Sequence, residues 1–222
     1  ARERRDYDVV DHVAIVNLHG PMSKGGSWKF QETSTVQLRQ LLRDARKDEE
    51  VQSILLHIDS PGGHVAGTSE LANDVARLRQ SKPVFAHIED LGASAAYWVA
   101  SQAQHITANT MAEVGSIGTV AVLEDTSKRM ERLGIEVHVI STGPYKGVGA
   151  EGAPISAEAL SYLRGRVESL NAHFLEAVQR GLQPIEVIQE AGGKQRVQLA
   201  QENDLPAFAF HSRTKCRQRR VS

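Results

Sequence analysis

Apolar and polar residues recur along the chain in two periods, and each change of period marks a new element. Residues 13–18 (VAIVNL) form a short run rich in β-branched side chains, closed by Gly20-Pro21, and predict a strand. After Gly25-Gly26, the residues Val36, Leu38, Leu41, Leu42 and Ala45 fall on one helical stripe, and Ser34 stands where a hydroxyl can cap the first turn. Residues 54–58 (ILLHI) are nearly all apolar, the pattern of a strand covered on both faces of a parallel sheet. A helix follows over 68–80, broken at Lys82-Pro83, and then a strand over 84–88 (VFAHI).

Residues 92–100 (GASAAYWVA) are small and apolar all round and predict a buried helix. Further on, 105–108 predicts a strand, 115–118 (GSIG) a tight turn, 120–123 an extended segment, 126–133 a helix closed by Gly134, and 137–140 (VHVI) a strand. From Ser156, the residues Leu160, Leu163, Val167, Leu170, Phe174 and Val178 recur at three- and four-residue spacing and predict a long helix. Strands alternating with helices define an α/β domain with a largely parallel sheet, assigned to residues 1–192. Residues 193–222 lack apolar periodicity and are expected to be a basic, poorly ordered tail.

Composition narrows the function classes. A formal net charge of -1 gives no electrostatic case for nucleic acid or an anionic membrane, and the basic run HSRTKCRQRR reads as a solvated tail. The chain has one cysteine, so no internal disulfide is expected. No apolar run approaches the roughly 20 residues that span a bilayer. The expected location is cytoplasmic. The first residue is Ala, so a leader or anchor lost from the chain stays open. No G-x-x-x-x-G-K-[ST] loop occurs, and no His/Cys/Asp/Glu group has metal-ligand spacing, so neither nucleotide, metal nor other cofactor is expected.

Two segments have the composition of a reactive site. Asp59-Ser60-Pro61-Gly62-Gly63 follows a strand, where ligands gather in parallel α/β sheets; it is either a plain turn or a close backbone approach with free amides for an oxyanion. Ser94, among small neighbours in GASAA, either caps the helix after it or presents its hydroxyl to a cleft. A nucleophilic serine needs a base. None of the nine histidines, His57, His64, His87, His105, His138 and His173 among them, sits in a local motif for this. Lys146, between glycines in STGPYKG, is either a solvated loop charge or a base held neutral.

DSPGG, GASAAYWVAS, VGSIGT and STGPYK, in this order, resemble the signal peptide peptidase (SppA-like) family of Ser-Lys serine proteases, closest to the short phage and prophage members that process capsid proteins. The resemblance runs from about Val13 to Leu182. It implies a Clp-protease/crotonase-like fold of repeated β-α units. It also implies Ser94 as nucleophile, Lys146 as general base and Ser116 as the residue orienting that lysine. Gly62-Gly63 and the Ala95 amide match the oxyanion donors. The implied partners are a polypeptide substrate and further copies of the chain in a ring. Two departures are GASAA, where many bacterial members carry ASGG, and the segment after Gly192, which does not follow the family's usual ending. Two other readings share the fold: a crotonase-type enzyme acting on acyl thioesters, and an inactive capsid or scaffold protein.

Overall fold

The computed structural model describes residues 6–27, 29, 31–181, 185–188 and 194–197. They fall into two compact units, one drawn from Ala1–Ile117 and Phe174–Ser222, the other Gly118–His173.

The first unit is built on one sheet. Its strands are β1 (Asp8–Val10), β2 (Val13–His19), β5 (Ser53–Ser60), β6 (Val84–Ala93), β7 (His105–Asn109), β8 (Glu113–Gly115), β9 (Ile185–Ile188) and β10 (Lys194–Val197). The order is β1-β2-β5-β6-β7-β9-β10, parallel from β2 to β9, with β1 and β10 antiparallel at the two ends. A pair of two-residue strands, β3 (Met22–Ser23) and β4 (Thr33–Ser34), forms a separate ladder. The helices of this unit are α1 (Thr35–Lys47), α2 (Thr68–Leu78) and α3 (Ala95–Ala100).

Each helix has a local reason. The Ser34 hydroxyl accepts the Gln37 amide and caps α1, as its sequence predicts. At the other end of α1, the Lys82 ammonium donates to the Ala45 and Asp48 carbonyls at 2.9 and 2.6 Å, the favoured sign of charge for a helix C-terminus. Burial of the ammonium pulls its pKa down, while the nearby Asp48 pulls the other way. Leu38, Leu42 and Ala45 of α1 and Leu71, Ala72 and Val75 of α2 are buried against the sheet with Val16, Leu56, Ile58 and Ile88. Trp98 of α3 stacks on Phe174 with ring centroids 4.7 Å apart.

Five expectations are corrected. Strand β5 is not covered on both faces: Ile54, Leu56, Ile58 and Ser60 are buried, while Ser53, Leu55, His57 and Asp59 are half-buried. The histidine inside ILLHI marked that open face. Gly92 and Ala93 belong to β6, and helix α3 starts only at Ala95, because Gly92 pairs with Ser60 of β5 and Val114 of β8. In GSIG, Gly115 is the last residue of β8 and not part of a turn. Residues 137–140 form no ladder among the described residues; Ile140 stands exposed, and strand propensity without a partner strand does not make a strand. Within the expected tail 193–222, Lys194–Val197 forms β10; the remainder of the tail lies outside the described residues.

The second unit contains α4 (Ser127–Arg132) and most of α5 (Ala157–Gly181), the long helix that continues into the first unit. Among the described residues no helix is long and apolar enough to cross a membrane.

Ile58 is fully buried in the last turn of pleat before the Ser60 turn. Ile58→Ala should destabilise the fold by about 2–5 kcal/mol through lost burial and an unfilled cavity, and Ile58→Val by about 0.5–1.5 kcal/mol, read from denaturant midpoints.

Candidate active site

At the ends of β5, β6 and β8 the backbone is drawn into one compact arrangement. Ser60 is fully buried; its hydroxyl donates to the Gly20 carbonyl at 2.6 Å and accepts the Gly62 amide at 3.1 Å. One side chain thus fixes both the exit of β2 and the shape of the turn. Gly20 N–H returns a bond to the Asp59 carbonyl at 2.9 Å. Past the turn, Met22 bridges Gly63 in parallel register, using the Gly62 carbonyl and the His64 amide. A parallel bridge of this kind leaves the Gly63 amide and carbonyl directed away from Met22. Gly63 is exposed.

Gly62 has φ +89, and a Cβ built on it would lie 2.7 Å from the Ala93 oxygen and the Ala95 nitrogen and 2.8 Å from Ser94 Cβ. Only glycine allows the turn to lie this close to Ser94. At Gly63 a Cβ would collide with the Met22 carbonyl. The two adjacent glycines therefore serve a close backbone approach, not a plain turn.

Ser94 stands at the N-cap position of α3, but its side chain makes no capping bond. Its backbone has φ 53 and ψ -121, a conformation that costs a non-glycine residue free energy and points to function when the surroundings enforce it. The enforcing bonds are visible. Ser94 N–H donates to the Gly115 carbonyl at 2.7 Å, and the Ser94 carbonyl accepts the Trp98 amide at 2.9 Å. Ala93 and Gly115 are register partners, so Ser94 and Ser116 leave their strands side by side. Ser116 also has positive φ, at 52, and its side chain is exposed. Ala95 is buried at the first position of α3, where a helical amide has no intrahelical partner.

The structure therefore brings Gly62, Gly63, Ser94, Ala95 and Ser116 together. Lys146 belongs to the second unit. It is exposed in the turn that follows Ser141, whose hydroxyl donates to the Gly143 carbonyl at 2.7 Å. The Lys146 amide donates to Gly143 at 3.3 Å. Its neighbour Tyr145 stacks on Tyr162 of α5, centroids 4.2 Å apart and planes 6° from parallel, so the turn is anchored to a helix. Beyond the turn, Asp125 accepts the Ile155 amide and Thr126 accepts the Gly152 amide. Bonds from the Ser127 hydroxyl and amide, and then from Ile155, hold the Asp125 carboxyl below its ordinary pKa.

Sequence reasoning passed over Ser60 and the Tyr145–Tyr162 stack. The signal for Ser60 was a short hydroxyl residue directly before Pro-Gly, a residue type that bonds its own backbone two residues on. For the stack, a tyrosine in the loop and another on the helix carried no local pattern.

A serine at positive φ at a strand-to-helix turn, packed against a glycine turn on a mainly parallel sheet, leaves its side chain out of the helix cap, a geometry in which a hydroxyl can act as a nucleophile. Residues 76–203 match the sequence profile of peptidase family S49, and the chain belongs to that family. Its alternating helices and strands are the Clp-protease/crotonase-like fold of the family. The chain is 38% identical over 138 residues to a putative protease of Methanocaldococcus jannaschii, covering 62% of this chain and 44% of that one. It is 32% identical over 146 residues to the chloroplastic serine protease SPPA of Arabidopsis thaliana, covering 65% and 21%. With the capsid assembly protease C of Escherichia phage lambda it shares 28% over 180 residues, covering 80% and 41%. The chain spans less than half the length of each of these relatives.

Gly62→Ala combines a strained φ with backbone overlap and should cost at least about 1–3 kcal/mol of stability. Gly25→Ala is the control: a Cβ there meets nothing within 4 Å. A denaturation midpoint for Gly62→Ala equal to that of Gly25→Ala would contradict the close approach.

Proposed function

We propose that the chain is a serine endopeptidase with Ser94 as nucleophile and Lys146 as general base. The observation that carries this reading is the backbone of Ser94, held at positive φ against Gly62 with its hydroxyl left out of the helix cap. Serine is a weak nucleophile at its free pKa and needs a base; the family places a lysine in that role, and Lys146 is its match in STGPYK.

In the reaction, the neutral Lys146 amine takes the Ser94 Oγ proton as Oγ bonds to the scissile carbonyl carbon. The oxyanion accepts from the Gly63 and Ala95 amides, with Gly62 holding the turn in place. Collapse breaks the C–N bond, and Lys146 returns the proton to the leaving amine. Water, deprotonated by Lys146, then releases the acyl group from Ser94. Ser116 orients the lysine. The steps need no cofactor. In this reading residues 1–192 are the protease domain.

The substrate is a polypeptide. The capsid assembly protease name of the phage relative supports capsid proteins as its class; scaffold proteins, signal peptides and a cytoplasmic or prohead setting follow from the family resemblance alone. The working form is a ring of identical chains. Support comes from the second unit, where Val120, Val122, Leu133, Ile135 and Ile140 are all more than half exposed, an apolar surface suited to a second copy.

Ser94→Ala and Lys146→Ala should each abolish cleavage of casein or a capsid protein while leaving the circular dichroism spectrum and melting temperature near wild type. Ser116→Ala should lower the rate only in part. Activity should rise from neutral to alkaline pH, since only the deprotonated amine accepts a proton. A rate that is flat across that range would remove lysine as the base. Wild-type protein that cleaves nothing would instead favour a scaffold role.

Assembly has its own test. In verified mixed oligomers of Ser94→Ala with Lys146→Ala, recovered activity means that one copy supplies the nucleophile and another the base; no recovery means that each chain holds both. A fully active monomer by light scattering would exclude the ring.

A further inference from the structure

The uncovered face of the sheet carries a cluster that the proposed proteolysis does not use. Along β2, β5 and β6 the side chains alternate between the buried core and this open face, which displays Asn17 and His19, then Leu55 and His57, then His87 and Glu89. Register sets them side by side: His57 pairs with Asn17 on one flank and His87 on the other. His57 Nε2 lies 3.1 Å from Glu89 Oε2, and its Nδ1 lies 3.3 Å from both Asn17 Oδ1 and His19 Nε2. One donor atom from each of His19, His57 and Glu89 falls within a group no wider than 4.8 Å.

We propose that His19, His57 and Glu89 form a binding site for a divalent transition-metal ion of the zinc class. Two imidazoles and one carboxylate are a common zinc donor set, with water as the fourth ligand. Ligands at about 2.0–2.2 Å on a tetrahedral ion stand roughly 3.3 Å from one another, and the His57–Glu89 pair is already close to that spacing. His19, exposed at the end of β2, has to swing its ring off His57 Nδ1 toward the pair.

The surroundings suit the role. A ligating histidine characteristically donates its second ring N–H to an acceptor that fixes its tautomer. Asn17 Oδ1 is such an acceptor for His57 Nδ1, which leaves Nε2 for the metal. His87 lies parallel to His57, with ring centroids 6.0 Å apart, and its own Nδ1 is engaged by Thr107 Oγ1 at 2.9 Å. The stacked ring limits how far His57 can turn. No linear spacing announced this site, because sheet register alone assembles it from three strands.

An ion here would tie β2, β5 and β6 together just before they enter Gly20, Ser60 and Ser94. It would act on the proposed active site through these strands. The ion is soft enough for nitrogen ligands, so Mg²⁺ should not replace it.

The test uses the full chain with Cys216→Ser, which removes its single thiol. Calorimetric titration of metal-stripped protein with ZnCl₂ should give one ion per chain, with MgCl₂ giving no heat of binding. Co²⁺ should produce visible absorption bands of a four-coordinate nitrogen–oxygen site. His19→Ala, at an exposed position, should abolish those bands and weaken Zn²⁺ at least about tenfold, as should Glu89→Gln; Asn17→Ala should weaken it roughly 10–100-fold. Unchanged circular dichroism keeps the variants comparable. No Zn²⁺ binding by the wild-type residues, or equal binding by the His19 and Glu89 variants, would overturn the site and leave the His57–Glu89 contact as a hydrogen bond. The result is independent of peptidase activity and of the Ser94 and Lys146 assignments.

Discussion

The approach of Gly62 to Ser94 is the constraint around which the first unit is arranged. Two backbone segments cannot lie within a methyl group's reach of each other unless one of them lacks a Cβ and both are held from behind. Ser60 supplies the hold on one side through its bonds to Gly20 and Gly62. Gly115 supplies it on the other through the Ser94 amide. The strain at Ser94 persists because both neighbours are themselves part of ladders that the buried core fixes. Core packing at Leu56, Ile58 and Ile88 is thereby connected to the conformation of one hydroxyl-bearing residue.

Much of this was legible in the sequence. The apolar runs at β2, β5 and β6 and the helical stripes of α1, α2 and α5 are long enough for periodicity to specify them, and Ser34 was recognisable as a cap. Short elements were not: β1, β3, β4 and β8 hold two or three residues each, too few for a period to register. The strand signal at 137–140 failed for the opposite reason. Its composition was right, yet strand formation depends on a neighbour that local sequence does not contain.

The site was half legible. DSPGG and GASAA stood out by composition, but composition left Ser94 between cap and nucleophile. Backbone torsion and the missing capping bond set the cap aside, and neither is written locally. The His19, His57 and Glu89 group was illegible altogether. Residues far apart in the chain become neighbours only through parallel pairing, and the same pairing opens one sheet face while helices close the other. The histidine within ILLHI was a clue to that openness, overruled by the apolar residues around it.

Strand β6 changes partners along its length. Phe85–Ile88 pair with β7, whereas Leu91–Ala93 pair with β8. The interval between them belongs to neither ladder on that side, and on the other side the register with β5 slips between Ile58 and Ser60. A joint of this sort acts as a splice. One strand serves two ladders in turn, so the backbone that delivers Ser94 takes its direction from β8 at one end while β7 ties the other end to the core.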